Sequence, residues 1–194
     1  MEESSNLWKT YQEKTKGRPP SPSLVRATGF VTDKDAALDF GAGGLRDSRF
    51  LLEQGFKSVI AVDFEPTTAE IAKEIGDERL KVYTTSFDEF GFSQDAFDLI
   101  NAQFSLPFIT PSSFGAVFSK LMASLKPGGI LVGQLFGDRD SWRVNPKMTF
   151  HTETEARKLL EGMEILEFKE EEKDEKPVVG ALKHWHVFHF TTRK

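Results

Sequence analysis

The sequence predicts an α/β fold built on a doubly wound, mostly parallel sheet, and three features predict it. Short apolar runs alternate with helical stretches from Ala36 to Glu161. A glycine-rich turn, Gly41-Ala42-Gly43-Gly44, follows the first of those runs. The chain then closes with an apolar run, a charged stretch and a second apolar run, the pattern of a terminal hairpin. Alternating strands and helices of this length call for parallel pairing with right-handed crossovers, whereas a hairpin turns its last strand antiparallel.

The elements follow in order. Leu7 to Lys14 carries Leu7, Trp8 and Tyr11 on one side, the spacing of a short helix. Gly17-Arg18-Pro19-Pro20-Ser21-Pro22 then forces an extended or turning path, because proline fixes φ and disfavours helix in the residue before it. A second short helix is expected from Ser23 to Ala27. Ala36 to Phe40 is the first strand, followed by a helix from Leu45 to Gln54 that stops at Gly55. Ser58 to Val62 is a β-branched strand closed by Asp63, and Pro66 to Ile75 a helix with proline in its first turn and Gly76 at its end. Leu80 to Tyr83 and Phe97 to Ala102 are the third and fourth strands. Thr110-Pro111 starts a helix to Leu125, and Lys126-Pro127-Gly128-Gly129 turns into a fifth strand, Ile130 to Phe136. Thr152-x-x-Glu155 is a capping box opening the last helix. Met163 to Phe168 and His184 to Thr192 are the final strands, and the charged run Lys169 to Lys176 between them reads as a solvated hairpin tip.

A length of 194 residues fits one domain with a full core, divided here into an N-terminal helical lid, residues 1–30, and an α/β core, residues 31–194. Eighteen phenylalanines against 2 tyrosines and 3 tryptophans suit large apolar packing. A net charge of −5 argues against a nucleic-acid partner, which calls for a basic face. The absence of cysteine excludes disulfides, thiolate metal sites and cysteine nucleophiles. The acidic start Met1-Glu2-Glu3-Ser4-Ser5 lacks the features of a signal peptide, and no apolar run approaches the ~18 residues of a membrane helix, so the expected location is the cytoplasm.

The glycine turn decides the cofactor. Glycines between a strand and a helix let a ligand approach the backbone, and an acid closing the next strand, here Asp63, binds ribose hydroxyls. A dinucleotide site requires a third small residue five positions after the first glycine, but Arg46 stands there. Asp39, just ahead of the glycines, suits a cationic amino-acid moiety better than a diphosphate. Both departures favour S-adenosylmethionine over NAD.

Asp39-x-Gly41-x-Gly43-Gly44, Asp63 and Leu125-Lys126-Pro127-Gly128-Gly129-Ile130 resemble, in order, the first motif, ribose acid and strand-five turn of class I methyltransferases. The resemblance covers residues 36 to 135. It implies a seven-stranded Rossmann-like sheet of order 3-2-1-4-5-7-6 with strand seven antiparallel. Arg46-Asp47-Ser48, Phe136-Gly137-Asp138-Arg139-Asp140-Ser141-Trp142 and Lys183-His184-Trp185-His186 further resemble the tellurite-resistance TehB-like branch. Carried over by position, Gly41, Ala42 and Gly43 line the methionine half of the cofactor. Asp63 takes the ribose, with Phe64 beside the adenine. Ser86 and Phe87 stand where the family has an acid and an apolar residue for the adenine, so the acid is missing. Gln103 and Phe104 border the sulfonium. Arg46 either fixes the cofactor's carboxylate or pairs with a neighbouring acid such as Asp47.

Methyl transfer asks chiefly for alignment and exclusion of water, so no general base is assigned. An antiparallel last strand begins at the carboxyl edge of the sheet, where ligands bind. His184 and His186 would then share one side of that strand and Trp185 the other. No metal is expected from this His-x-His pair, which lacks a third ligand in the sequence. Tyr11, Arg18, Arg139, Trp142, His184 and His186 are the candidate acceptor-side residues, with Trp8 and Arg143 in the same segments. Their cations favour an anionic small molecule. An NAD-dependent oxidoreductase and a non-catalytic S-adenosylmethionine-binding protein are the rival readings. A nucleic-acid or protein methyltransferase is disfavoured, because Asn101-Ala102-Gln103-Phe104 lacks paired prolines.

Overall fold

The computed structural model describes residues 2–15 and 17–194, and the side chains of these except residues 2–7 and 13. Leu7, read with Trp8 and Tyr11 as one helix face, therefore lies outside the described side chains. The strands are β1 (Ala36–Phe40), β2 (Ser58–Asp63), β3 (Leu80–Thr84), β4 (Phe97–Ala102), β5 (Leu125–Gly137), β6 (Phe150–His151), β7 (Glu164–Glu175) and β8 (Lys183–Arg193). They form one sheet of order β3-β2-β1-β4-β5-β8-β7, with β6 beside the end of β5. β8 alone runs against the direction of the other strands. Apart from the two-residue β6, which sequence periodicity is too short to reveal, this is the expected order and direction.

The helices are α1 (Glu2–Thr15), α2 (Pro22–Ala27), α3 (Arg46–Glu53), α4 (Pro66–Ile75), α5 (Pro111–Ser124) and α6 (Glu153–Leu159). None among the described residues is long and apolar enough to cross a membrane. Central strands β1 and β4 are mostly apolar and buried on both faces, as parallel strands under two helix layers are. Successive residues feed opposite cores. Leu38, Ile100 and Leu131 pack with Phe114, Phe118 and Leu121 of α5, while Ala37, Leu99 and Val132 pack with Leu24 of α2 and Leu51 of α3. The capping box of α6 forms in full, with Thr152 Oγ1 accepting from Glu155 N–H and the Glu155 carboxylate accepting from Thr152 N–H.

Two expectations fail. Lys126 to Gly129 is not a separate turn but belongs to β5, where the ladder shifts register between Phe97 and Leu99 and the Gly128 N–H donates to the Lys194 carbonyl. The charged run is not a hairpin tip: Lys169 to Glu175 continue β7 and pair with Lys183 to His189 of β8. Cross-strand ion pairs explain the difference. Arg139 bridges Glu170 and Glu172, and His184 contacts Glu172 and Asp174, so the charges serve the ladder instead of interrupting it.

Candidate cofactor and acceptor site

At the carboxyl edge the chain leaves β1 through Gly41, whose φ of +86° lies in the left-handed region that side chains avoid. A Cβ there would collide with Ser105. The N–H groups of Gly41 and Ala42 donate to the Val62 carbonyl at 2.8 and 3.1 Å, tying the loop to the end of β2. Asp63 completes that tie. Its Oδ2 accepts from Gly43 N–H at 2.7 Å and its Oδ1 from Glu65 N–H at 3.0 Å. Burial raises its pKa, and the backbone donors oppose the rise. A Cβ at Gly43 or Gly44 would meet nothing within 4 Å, so the outer face of the loop is bare. Ser105 Oγ lies buried beside Gly41 with no hydrogen-bond partner among the described residues. A bare glycine face, a buried acid at the end of β2 and a hydroxyl without a partner among the described residues fit a nucleoside-bearing ligand.

Beneath the loop sits an acid network. Asp39 is fully buried and accepts from Ser48 Oγ and from Asn101 Nδ2, the latter at 2.9 Å. Burial, and then the neighbouring Asp47, push its pKa up to about 7. Asp47 accepts from Ser21 N–H at 2.8 Å and Ser21 Oγ at 2.7 Å. Arg46 reaches Asp47 at 3.0 Å and also donates to Ser21 Oγ, so the neighbouring-acid alternative describes its pairing in this structure.

The N-terminal segment is tied to the same loop. Thr68 Oγ1 donates to the Gly43 carbonyl at 2.8 Å and accepts from Gln12 Nε2 of α1 at 3.2 Å. Trp8 meets Tyr11 at 5.9 Å, Phe64 at 6.2 Å and Phe108 at 5.0 Å, all edge to face. Gln12 and Trp8 are thus the residues that anchor α1, and nothing in the sequence singles out Gln12. Arg18 is exposed, with its backbone N–H on the Thr15 carbonyl.

The other positions divide. Phe64 and Phe104 are 46% and 40% exposed, unusual for such rings and a sign of a surface kept for a partner. Phe87 stacks on Phe40 at 4.1 Å and packs against the core, while Ser86 Oγ donates to Glu89 at 3.0 Å. Gln103 Oε1 accepts from Ser23 Oγ and Gln134 Nε2.

On β8 the alternation turns Trp185 and the histidines to opposite faces, and it is Trp185 that joins the rings. Trp185 meets Trp142 at 5.5 Å and Phe104 at 6.2 Å. Lys183, only 6% exposed, lies over both indoles at 3.6 and 3.7 Å and pairs with Asp140 at 2.6 Å. Burial lowers the Lys183 pKa, against the pull of Asp140. His186 is buried beneath Gly137, where any Cβ would strike the imidazole. Its Nδ1 accepts from Arg139 N–H at 3.1 Å, which leaves Nε2 to donate to Glu170 at 2.8 Å. Glu170, Glu172 and His186 are close enough to share an ion, but the Arg139 guanidinium already lies among them. Separately, a hollow of about 380 Å³ between α3 and α4, lined by Arg49, Glu53, Glu74 and Arg79, opens at the far rim and contains none of these residues.

A methyltransferase-domain family model matches residues 37–129. No curated protein sequence matches the chain. Among solved structures, the chain is similar to the 1,6-didemethyltoxoflavin-N1-methyltransferase of Burkholderia thailandensis, solved with 1,6-didemethyltoxoflavin and S-adenosylhomocysteine. The TM-score is 0.73 at 22% identity, over 100% of this chain and 85% of that one. It is also similar to TehB from Haemophilus influenzae, with TM-score 0.78, 17% identity and coverage of 95% and 65%. A third likeness is to an S-adenosylmethionine-dependent methyltransferase of Methanosarcina mazei, with TM-score 0.69, 18% identity and coverage of 91% and 98%. The chain thus carries a methyltransferase domain over residues 37–129 and, in its strand order, the class I methyltransferase fold of these S-adenosylmethionine-dependent neighbours.

Proposed function

We propose that the enzyme transfers a methyl group to a small-molecule acceptor by in-line displacement, acting mainly through positioning. The observation that carries this reading is Asp63 locked to the glycine loop beside a bare backbone face. S-adenosylmethionine, when bound, supplies a methyl group already activated on a sulfonium. The residues of the chain then have four tasks. Gly41, Ala42, Gly43 and Asp39 receive the methionine half, and Asp63 accepts from the ribose hydroxyls. Phe64 flanks the adenine, with Ser86 and Phe87 on the following loop. Gln103 and Phe104 border the methyl group, where alignment of an acceptor supplies much of the rate. The segment of residues 1–30 acts as a lid on a single domain, supported by the Gln12–Thr68–Gly43 chain that joins α1 to the loop. An enzyme with no nucleic-acid partner is in keeping with the net charge of −5.

Calorimetric titration with S-adenosylhomocysteine tests the reading. Wild type should bind in the micromolar range and Asp63→Ala should lose that binding while remaining folded. Absence of binding to folded wild type would refute the cofactor site.

A further inference from the structure

The rim around Phe104 carries information about the acceptor that the cofactor motifs do not. Phe104 has φ of +52°, a strained value for an aromatic residue and one held by its surroundings. Its N–H can only donate, and it does so to Gln134 Oε1 at 2.8 Å. That orients the buried Gln134 amide, whose Nε2 must then donate, to Gln103 Oε1 at 2.7 Å. Ser23 Oγ donates to the same oxygen at 2.9 Å. Gln103 is thus fixed with its oxygen satisfied twice and its Nε2 buried with no partner among the described residues. A buried N–H2 without an acceptor is costly, and a ligand lone pair removes the cost.

The surroundings of that amide are rings. Phe104 meets Phe136 and Trp185 at 6.2 Å each, and Phe108 meets Phe136 at 6.3 Å and Trp8 at 5.0 Å. Most of the groups expected to draw an anion are engaged elsewhere. Arg139 and His186 pair with Glu170 and His184 with Asp174, and nearby Arg46 and Lys183 pair with Asp47 and Asp140. Arg18 and Arg143, in contrast, stand exposed at the surface. Aromatic faces are electronegative, so an anion stripped of water would find no compensation among them.

We propose that the acceptor is an uncharged, flat heteroaromatic molecule, stacked against Phe104 and Phe108 near Trp8, with a ring lone pair or carbonyl accepting from Gln103 Nε2. This rests on the methyltransferase reading above. A ring nitrogen or hydroxyl oxygen bonds to the methyl carbon as the carbon–sulfur bond breaks. The electron pair of that bond stays on sulfur, giving S-adenosylhomocysteine, and the proton displaced from the acceptor passes to water. The anionic acceptor expected from the arginines and histidines is the competing outcome.

The test uses the full chain with methyl-labelled S-adenosylmethionine and two groups of probes: 4-hydroxyquinoline and lumazine, against tellurite, selenite and benzoate. S-adenosylhomocysteine titration is run in parallel, and tryptophan fluorescence reports ring binding where turnover is slow. The ring compounds should bind and be methylated. Gln103→Met should raise their KM about tenfold, the loss of one hydrogen bond, while shifting S-adenosylhomocysteine Kd far less. Methylation of the anions with no binding of the ring compounds would overturn the proposal and leave the methyltransferase standing. So would an unchanged KM in Gln103→Met, as regards the amide. Failure of folded wild type to bind S-adenosylhomocysteine would remove both readings together.

Discussion

Replacing Lys183 by methionine should destabilise the enzyme by about 3 kcal/mol, a figure that follows from what the ammonium leaves behind. Lys183 and Asp140 have side chains only 4% and 0% exposed, and Nζ lies 2.6 and 2.9 Å from the two carboxylate oxygens. Breaking a buried pair costs roughly 3–5 kcal/mol because the surviving charge is stranded. Asp140 keeps backbone donors from Trp142 at 2.9 Å and His186 at 3.2 Å, which places the loss at the lower end. The methionine thioether can still fill the space between the two indoles and contact them, so packing loss stays small. Urea denaturation should show the midpoint falling at unchanged slope, and thermal melting should shift by about 6–12 °C. Adding Asp140→Asn should recover a good part of the loss by removing the stranded charge. A single-variant loss below about 1 kcal/mol, or no recovery in the double variant, would refute the argument that Asp140 depends on its partner.

Other predictions follow from the same geometry. Gly41→Ala combines a positive φ with a collision at Ser105, so it should cost at least about 1–3 kcal/mol in a melting assay and abolish S-adenosylhomocysteine binding. On the proposed role of Asp39 as the group that receives the cofactor's ammonium, a pKa held up to about 7 means that the S-adenosylhomocysteine Kd should fall about tenfold from pH 6 to pH 8 by titration, and Asp39→Asn should flatten the profile. In the ligand-free protein that raised pKa has the opposite sense: its contribution to stability is full below the ordinary carboxylate value and is lost as pH rises towards 7. Gln12→Ala removes the link from α1 to Thr68, and stopped-flow measurement should show S-adenosylhomocysteine leaving several-fold faster with little change in melting temperature.

What the sequence makes legible here is whatever depends on local order. Asp39, the glycines and Asp63 sit at fixed offsets from strand ends, so their meeting follows once β1 and β2 pair in parallel. The alternation His184, Trp185, His186 likewise separates the two faces of β8. Which face meets Phe104 depends on the partner strand, however, and it is the tryptophan that does. Arg139 reads as an anion receptor only while Glu170 and Glu172 are imagined in a loose tip. Once β7 extends through them, the charges are consumed within the sheet. The Gln134–Gln103–Ser23 chain is invisible in sequence, because it joins residues 31 and 80 positions apart and needs the β4–β5 register to form.

The length of β7 has a consequence for the solution behaviour of the protein. It is the last strand of the sheet, and along its 12 residues every second one turns its N–H and C=O outward to any passing strand. Glutamates and lysines are the guard against that addition, since a second copy would have to bury like charge against like. The guard also resists acid. Lys169 and Lys173 hold Glu171 ionised down to about 2, and His186 and Arg139 hold Glu170 below the usual carboxylate range. Swapping Lys169, Glu171 and Lys173 for threonine, while Glu170 and Glu172 keep their Arg139 and His186 partners, would convert the free edge into a template for fibrous self-association.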